Sequence, residues 1–156
     1  MQNKVHYAIH GHTAAELVKL RADSAKPHMG MTNWPGERIR KSDVAVAKNY
    51  LTEDEIDTLN RLVVIFLETA ELRTKNRQEI RMAFWQQNVE QIISSNGFTV
   101  LTHAGKVSHA RMEQKLGPPY LDFDQRRKAE AARAADVHDE AELKALESTI
   151  KNRPKL

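Results

Sequence analysis

The sequence predicts a mainly α protein: a helical bundle built on an antiparallel helical hairpin, with a long N-terminal polar loop and at most one short strand. Three observations carry that prediction. Thr52-Glu-Asp-Glu55 reads as a capping box, and behind it Ile56, Leu59, Leu62, Val63, Phe66, Leu67 and Ala70 recur at three- and four-residue steps. A second amphipathic stretch over residues 80–95 carries Met82, Trp85, Val89, Ile92 and Ile93 and stops at Asn96-Gly97, a good left-handed terminator. Residues 27–41 show no periodicity and hold Pro27, Gly30, Pro35 and Gly36, the residues of an extended loop.

Taken in order, residues 4–10 alternate, with Val5, Tyr7 and Ile9 on one parity and His6 and His10 on the other. That favours a short strand, with a helical turn as the alternative. Gly11 breaks the run, and Thr13-Ala-Ala-Glu16 opens a helix that should end before Lys26-Pro27. Ser42-Asp43 can cap a short helix through Tyr50. The helix begun at Thr52 should run to about residue 76 and form the centre of the core; its basic end, Arg73 to Arg77, suits a helix C-terminus. A third helix starts near Ser108 with Met112 and Leu116 inward, and Gly117-Pro118-Pro119 should interrupt it. Beyond it, Asp122 to Ile150 reads as a solvated helical tail in two pieces, broken around residues 136–139. The division expected is a helical domain over residues 1–120 and a charged tail over 121–156.

Composition removes several classes of function. With no cysteine among 156 residues, disulfides, thiolate zinc sites, iron–sulfur clusters and a cysteine nucleophile are excluded. The longest apolar run, Leu62 to Leu67, is far too short to span a bilayer. The expectation is a soluble, cytoplasmic protein with no membrane partner. Net charge is +3, unevenly spread: residues 1–50 carry eight bases against four acids, and residues 51–80 seven acids against four bases. A basic N-terminal third suits an anionic partner, nucleic acid included.

Three groups of residues could carry chemistry. His6, His10 and His12, with Glu16 beyond them, could converge on a divalent ion or supply acid–base groups. The bland alternative is exposed histidines and a Glu16 used up by its capping box, and no metal is assigned. Arg21, Asp23, Lys26 and Gly30 could line an anion site, with Arg38, Arg40, Lys41 and Lys48 as phosphate contacts. The same residues could instead pin the loop through an Arg21–Asp23 network, with Trp34 as apolar anchor. Ser108 beside His109 is better read as a helix cap than as a nucleophile, because triad partners converge in space rather than in sequence. No P-loop, GxSxG, GxGxxG or HExxH motif is present.

Gly11-His12-Thr13-Ala14-Ala15-Glu16-Leu17, then Arg21-Ala22-Asp23, Lys26-Pro27 and Met29-Gly30-Met31-Thr32, resemble the virulence RhuM family. Ala47-Lys48-Asn49-Tyr50-Leu51, Leu59-Asn60-Arg61 and Ala104-Gly105-Lys106-Val107-Ser108-His109 extend the resemblance in the family's order over about residues 2–128. The chain departs from the family pattern at His10 and at Gly117-Pro118-Pro119. The resemblance implies a bacterial, cytoplasmic, DNA-associated protein of mobile or genomic-island loci. It also implies partners from Fic/Doc or restriction–modification loci, and a winged-helix-like portion preceding the part represented here. It brings no catalytic assignment and no cofactor. The leading expectation is an interaction or regulatory module with His12, Thr13, Glu16, Arg21, Asp23, Lys26 and Gly30 as ligand-binding candidates, and a homodimer as one possible state. The alternative is a toxin-like hydrolase or nuclease using His12 with Glu16 or Asp23, with or without a divalent metal.

Overall fold

The computed structural model describes the backbone of residues 2–151 and the side chains of residues 2–148. The described residues form six α-helices and no strand: α1 (Gln2–His10), α2 (Ala14–Arg21), α3 (Lys41–Val44), α4 (Glu53–Lys75), α5 (Met82–Ser95) and α6 (His109–Lys151). Two 3₁₀ turns, Pro27–Gly30 and Ala47–Tyr50, punctuate the segment between α2 and α4. The chain divides into two compact units, Met1–Tyr120 and Leu121–Leu156.

The strand favoured for residues 4–10 is a helix. Seven residues satisfy both periods, since Val5/Ile9 and His6/His10 are also four apart. Tertiary contact decides: α1 packs against both α4 and α5, and its His6 is buried. Both capping boxes are present, at Thr13/Glu16 for α2 and at Thr52/Glu55 for α4. The single short helix expected from residue 42 to Tyr50 is α3 followed by the Ala47–Tyr50 turn.

α4 does not form the centre of the core. Within it Leu62 is buried, while Val63, Val64, Leu67 and Leu72 are exposed. The core lies instead around the irregular segment: Leu17, Val18, Met29, Val44, Tyr50 and Leu51 are essentially inaccessible, joined by Ile93 and Met112. Phe66 of α4 meets Trp85 of α5 with ring centroids 4.4 Å apart, and the Arg73 guanidinium lies 3.9 Å over the Phe84 ring.

α6 is continuous through Pro118 and Pro119, where an interruption is expected. Proline's fixed φ is itself helical, so what is forgone is the pair of amide donors to the carbonyls of Gln114 and Lys115. The same helix runs on through residues 136–139, so the expected break there is also absent. In the second unit the residues from 128 to 148 are exposed, as a solvated helix should be. Its flank carries local pairs such as Asp124 with Arg127 and Lys128. Residues 152–156 of the expected tail lie outside the described residues.

The loop over 27–41 is pinned by its own buried side chains and by hydrogen bonds. Met29, Met31 and Ile39 are buried, and the Thr32 hydroxyl donates to the Leu51 carbonyl at 2.6 Å. Thr32 N–H donates to the Asn49 carbonyl at 2.8 Å. Trp34 is half-buried and stacks on His28 at 4.4 Å. His28, Met29 and Gly30 are all left-handed, and at Gly30 a side chain is barred twice over. Its φ is +76°, and a Cβ would sit 2.6 Å from the Arg21 carbonyl oxygen.

Candidate functional site

The candidate residues fall into three neighbourhoods. The first is where α1, α2 and the start of α4 meet. Arg21 grips Glu55 in a fork, Nη1 and Nη2 each donating to one carboxylate oxygen at 2.6 Å, and Nη1 also donates to the Tyr50 carbonyl at 2.6 Å. Those hydrogen bonds hold the Glu55 carboxyl down at about 2, against the opposing effect of burial. Arg21 is therefore tied to a residue 34 positions away, and the Arg21–Asp23 pairing considered from sequence is not formed.

Beside this ion pair, His6 Nδ1 and His10 Nε2 lie 3.3 Å apart. Burial pushes His10 down to about 4, with the neighbouring His6 adding to the fall, and burial lowers His6 too. Both rings are therefore neutral at pH 7. The His12 ring stacks beside that of His10, centroids 6.0 Å apart, its Nδ1–H donating to the His10 carbonyl at 2.8 Å, which leaves Nε2 as the ring's lone-pair nitrogen. Among the described residues no three His, Asp or Glu side chains gather closely enough to hold a metal ion. His6, His10 and His12 are thus successive ring neighbours that do not form a metal-holding cluster with Glu16.

Glu16 has its two oxygens on two backbone amides. Oε2 accepts from Thr13 N–H at 2.8 Å, and Oε1 from Lys106 N–H at 2.5 Å. Burial raises this carboxyl, but those two donors outweigh it and leave it below the usual carboxylate range. Thr13 is buried, and Gly105 lies so close that a Cβ there would approach the Thr13 methyl at 2.7 Å. The capping box that explains Glu16 locally thus also anchors the turn before α6.

The second neighbourhood is a cleft of about 420 Å³ lined by Tyr7, His12, Glu16, Lys19, His103 and Lys106. His103 stands edge-on to Tyr7, ring centroids 5.7 Å apart. Of the ligand-binding candidates, His12 and Glu16 line it. Arg21 is engaged with Glu55. Asp23, Lys26 and Gly30 belong to a separate turn, where Asp23 Oδ1 accepts from Ala25 N–H at 2.9 Å and Lys26 N–H donates to the Asp23 carbonyl at 3.1 Å. Ser108 is a cap, its hydroxyl accepting from Arg111 N–H at 3.3 Å.

The third neighbourhood holds Arg38, Arg40, Lys41 and Lys48, all exposed. Their nearby carboxylate, Asp43, is buried, its Oδ2 accepting from Arg40 N–H at 2.8 Å. The pattern holds across residues 2–50. Lys19, Lys26, Arg38, Arg40, Lys41 and Lys48 are exposed, whereas of the four acids only Glu37 is. Glu16 and Asp23 are half-buried and Asp43 buried, each accepting from a nearby backbone N–H. The basic third consequently presents more positive charge to solvent than its formal count indicates.

Sequence reasoning did not foresee Glu55 as Arg21's partner, nor Lys19, His103 and Lys106 around His12. Glu55 was fully accounted for by its capping box, and no spacing rule links it to Arg21. Compared with known proteins, the chain matches the family model described as "Virulence protein RhuM family" over residues 1–131. No curated protein matches it, and no solved structure does.

Proposed function

The chain belongs to the virulence RhuM family, and from that premise we propose that it is the polyanion-binding interaction module of a virulence-associated, DNA-associated protein. The observation behind this reading is the exposed cluster Arg38, Arg40, Lys41 and Lys48, among which Asp43 is buried on the Arg40 N–H and Glu37 is the one exposed carboxylate. Such a surface contacts phosphates without base readout, so duplex DNA is the natural ligand to test. Affinity for duplex should fall steeply with salt. Replacing Arg38, Arg40, Lys41 and Lys48 by Ala should lower the log–log salt slope by about 1 for each phosphate that is no longer neutralised. No binding at low salt, or a flat salt response, sinks the proposal for this chain.

One observation favours a hydrolase as second reading. His12, its Nδ1 engaged by the His10 carbonyl and its Nε2 left as the lone-pair nitrogen, lines a cleft that also holds Lys19 and Lys106. The carboxylates first paired with it, Glu16 and Asp23, already have partners. A phosphodiester hydrolysis assay with His12→Ala as control separates the two readings: activity that disappears in that variant supports catalysis, and its absence in the native chain removes it.

A further inference from the structure

Trp34 is the aromatic expected to anchor the long loop, yet the loop is held from inside by Met29, Met31 and Ile39, all buried. Trp34 itself is half-buried, and every other residue from Thr32 to Arg38 is exposed. Its ring partner His28 is exposed too, with the two planes tilted by 31° and the centroids 4.4 Å apart. Core packing therefore does not account for the pair.

The backbone holds the pair in a costly conformation. His28 and Met29 are consecutive residues with side chains at φ of 55° and 60°. Complete burial of Met29 fixes the turn from below, and His28, exposed on the same turn, is thereby set against the indole.

Positive charge surrounds the stack. Lys26 lies two residues before His28, and Arg38 follows Trp34 by four residues, within about 14 Å of it whatever the path of the chain. Lys48 comes from the far side of the loop: the N–H groups of Thr32 and Asn33 both donate to the carbonyl of its neighbour Asn49, at 2.8 and 3.2 Å. Of the two carboxylates between residues 26 and 48, Asp43 is buried on the Arg40 N–H and Glu37 is exposed.

Exposed bases around a surface aromatic pair match the chemistry of a single nucleic-acid strand. Its phosphates take the cations, and its unstacked bases extend the aromatic stack. A duplex offers the phosphates alone, because its bases are already stacked on one another. An acidic peptide offers carboxylates without the rings. We propose that Trp34 and His28 form a base-stacking platform, and that the basic loop binds single-stranded nucleic acid in preference to duplex. Its basis is the polyanion reading above; what it adds is the form of the strand.

Trp85 is the other tryptophan, so Trp85→Phe leaves Trp34 as the sole indole. In that background a thymidine oligonucleotide of about 12 residues should quench Trp34 emission, and a duplex of equal length should not. Anisotropy of labelled DNA should show the single strand bound roughly tenfold tighter than the duplex. Trp34→Ala should lower single-strand affinity roughly tenfold and leave duplex affinity unchanged, and Trp34→Phe should restore most of the loss. His28→Asn removes the other ring while keeping a residue that tolerates the left-handed backbone, and should give the same selective loss even if Trp34→Ala disturbs folding. Single-strand binding without quenching overturns the proposal. So do equal responses of the two DNA forms to these substitutions, or the same quenching by poly-glutamate. In those cases a salt-dependent affinity for duplex leaves the polyanion reading standing, whereas no binding of either DNA form removes both.

Discussion

Residues 13–51 contain short helices and turns, yet bury Leu17, Val18, Met29, Val44 and Leu51 completely; α4 is 23 residues of unbroken helix and buries Leu62. The irregular segment folds back on itself. Arg21 reaches Tyr50 and Glu55, Thr32 reaches Asn49 and Leu51, and the Tyr50 hydroxyl donates to the Val44 carbonyl at 2.9 Å. Side chains inside such a closed path are surrounded on every side. A straight helix offers a surface along its length, and its neighbours cover one strip of it. Regularity and burial are therefore separate properties, and in this chain they fall on different segments.

Truncating one side chain from each region tests that separation most directly. Leu51→Ala should cost about 2–5 kcal/mol, the range for a fully buried leucine. Leu67→Ala, measured by urea denaturation, should stay within about 0.5 kcal/mol. Equal costs would mean that α4 is as much core as the segment before it.

A smaller effect concerns the ion pair and the histidines that join the two regions. Glu55 is held at about 2, below its ordinary 4.5, so its stabilisation is complete above pH 4.5 and is lost as pH falls towards 2. His10 is lowered from 6.5 to about 4, so the native state prefers it neutral; that contribution is complete above pH 6.5 and is lost as pH falls through 4. Stability should therefore decline in two steps on acidification, each of at most about 3 kcal/mol. His10→Gln should flatten the upper step. Arg21→Met should shrink the lower one, leaving the part due to Glu16 and to the Thr52 N–H on Glu55, and cost roughly 2–3 kcal/mol at pH 7. A single step unaffected by either substitution contradicts this assignment.

The smallest contrast lies within the irregular segment itself. Gly36 shares a positive φ with Gly30 but has open space around it. Gly36→Ala should cost about 1 kcal/mol for the left-handed backbone alone. Gly30→Ala should cost about 1–2 kcal/mol more, because the added Cβ meets the Arg21 carbonyl and not a side chain that can move aside. Equal effects on the unfolding midpoint would show that the Arg21 backbone yields.

Local chemistry was legible. Capping boxes at Thr13 and Thr52, the terminator at Asn96-Gly97 and the cap at Ser108 depend on residues three or four apart, and the structure forms each of them. The helical character of the chain follows from the same short-range rules. The candidate site was legible only in fragments: His12 and Glu16 share a cleft, while Arg21, Asp23, Lys26 and Gly30 do not join them.

The mainly helical class, the main helix starts, the basic N-terminal third and the absence of thiol chemistry are all written in the order of residues along the chain. That residues 2–10 are helix, and that Glu55 holds Arg21, came only with packing. Packing also brought Glu16 to the Lys106 amide and left the most regular helix half uncovered. The division has a physical cause. Capping, helical periodicity and charge counts are set within one or two turns of chain. The direction of a carboxylate and the covering of a helix face depend on segments tens of residues away, whose approach no local pattern encodes.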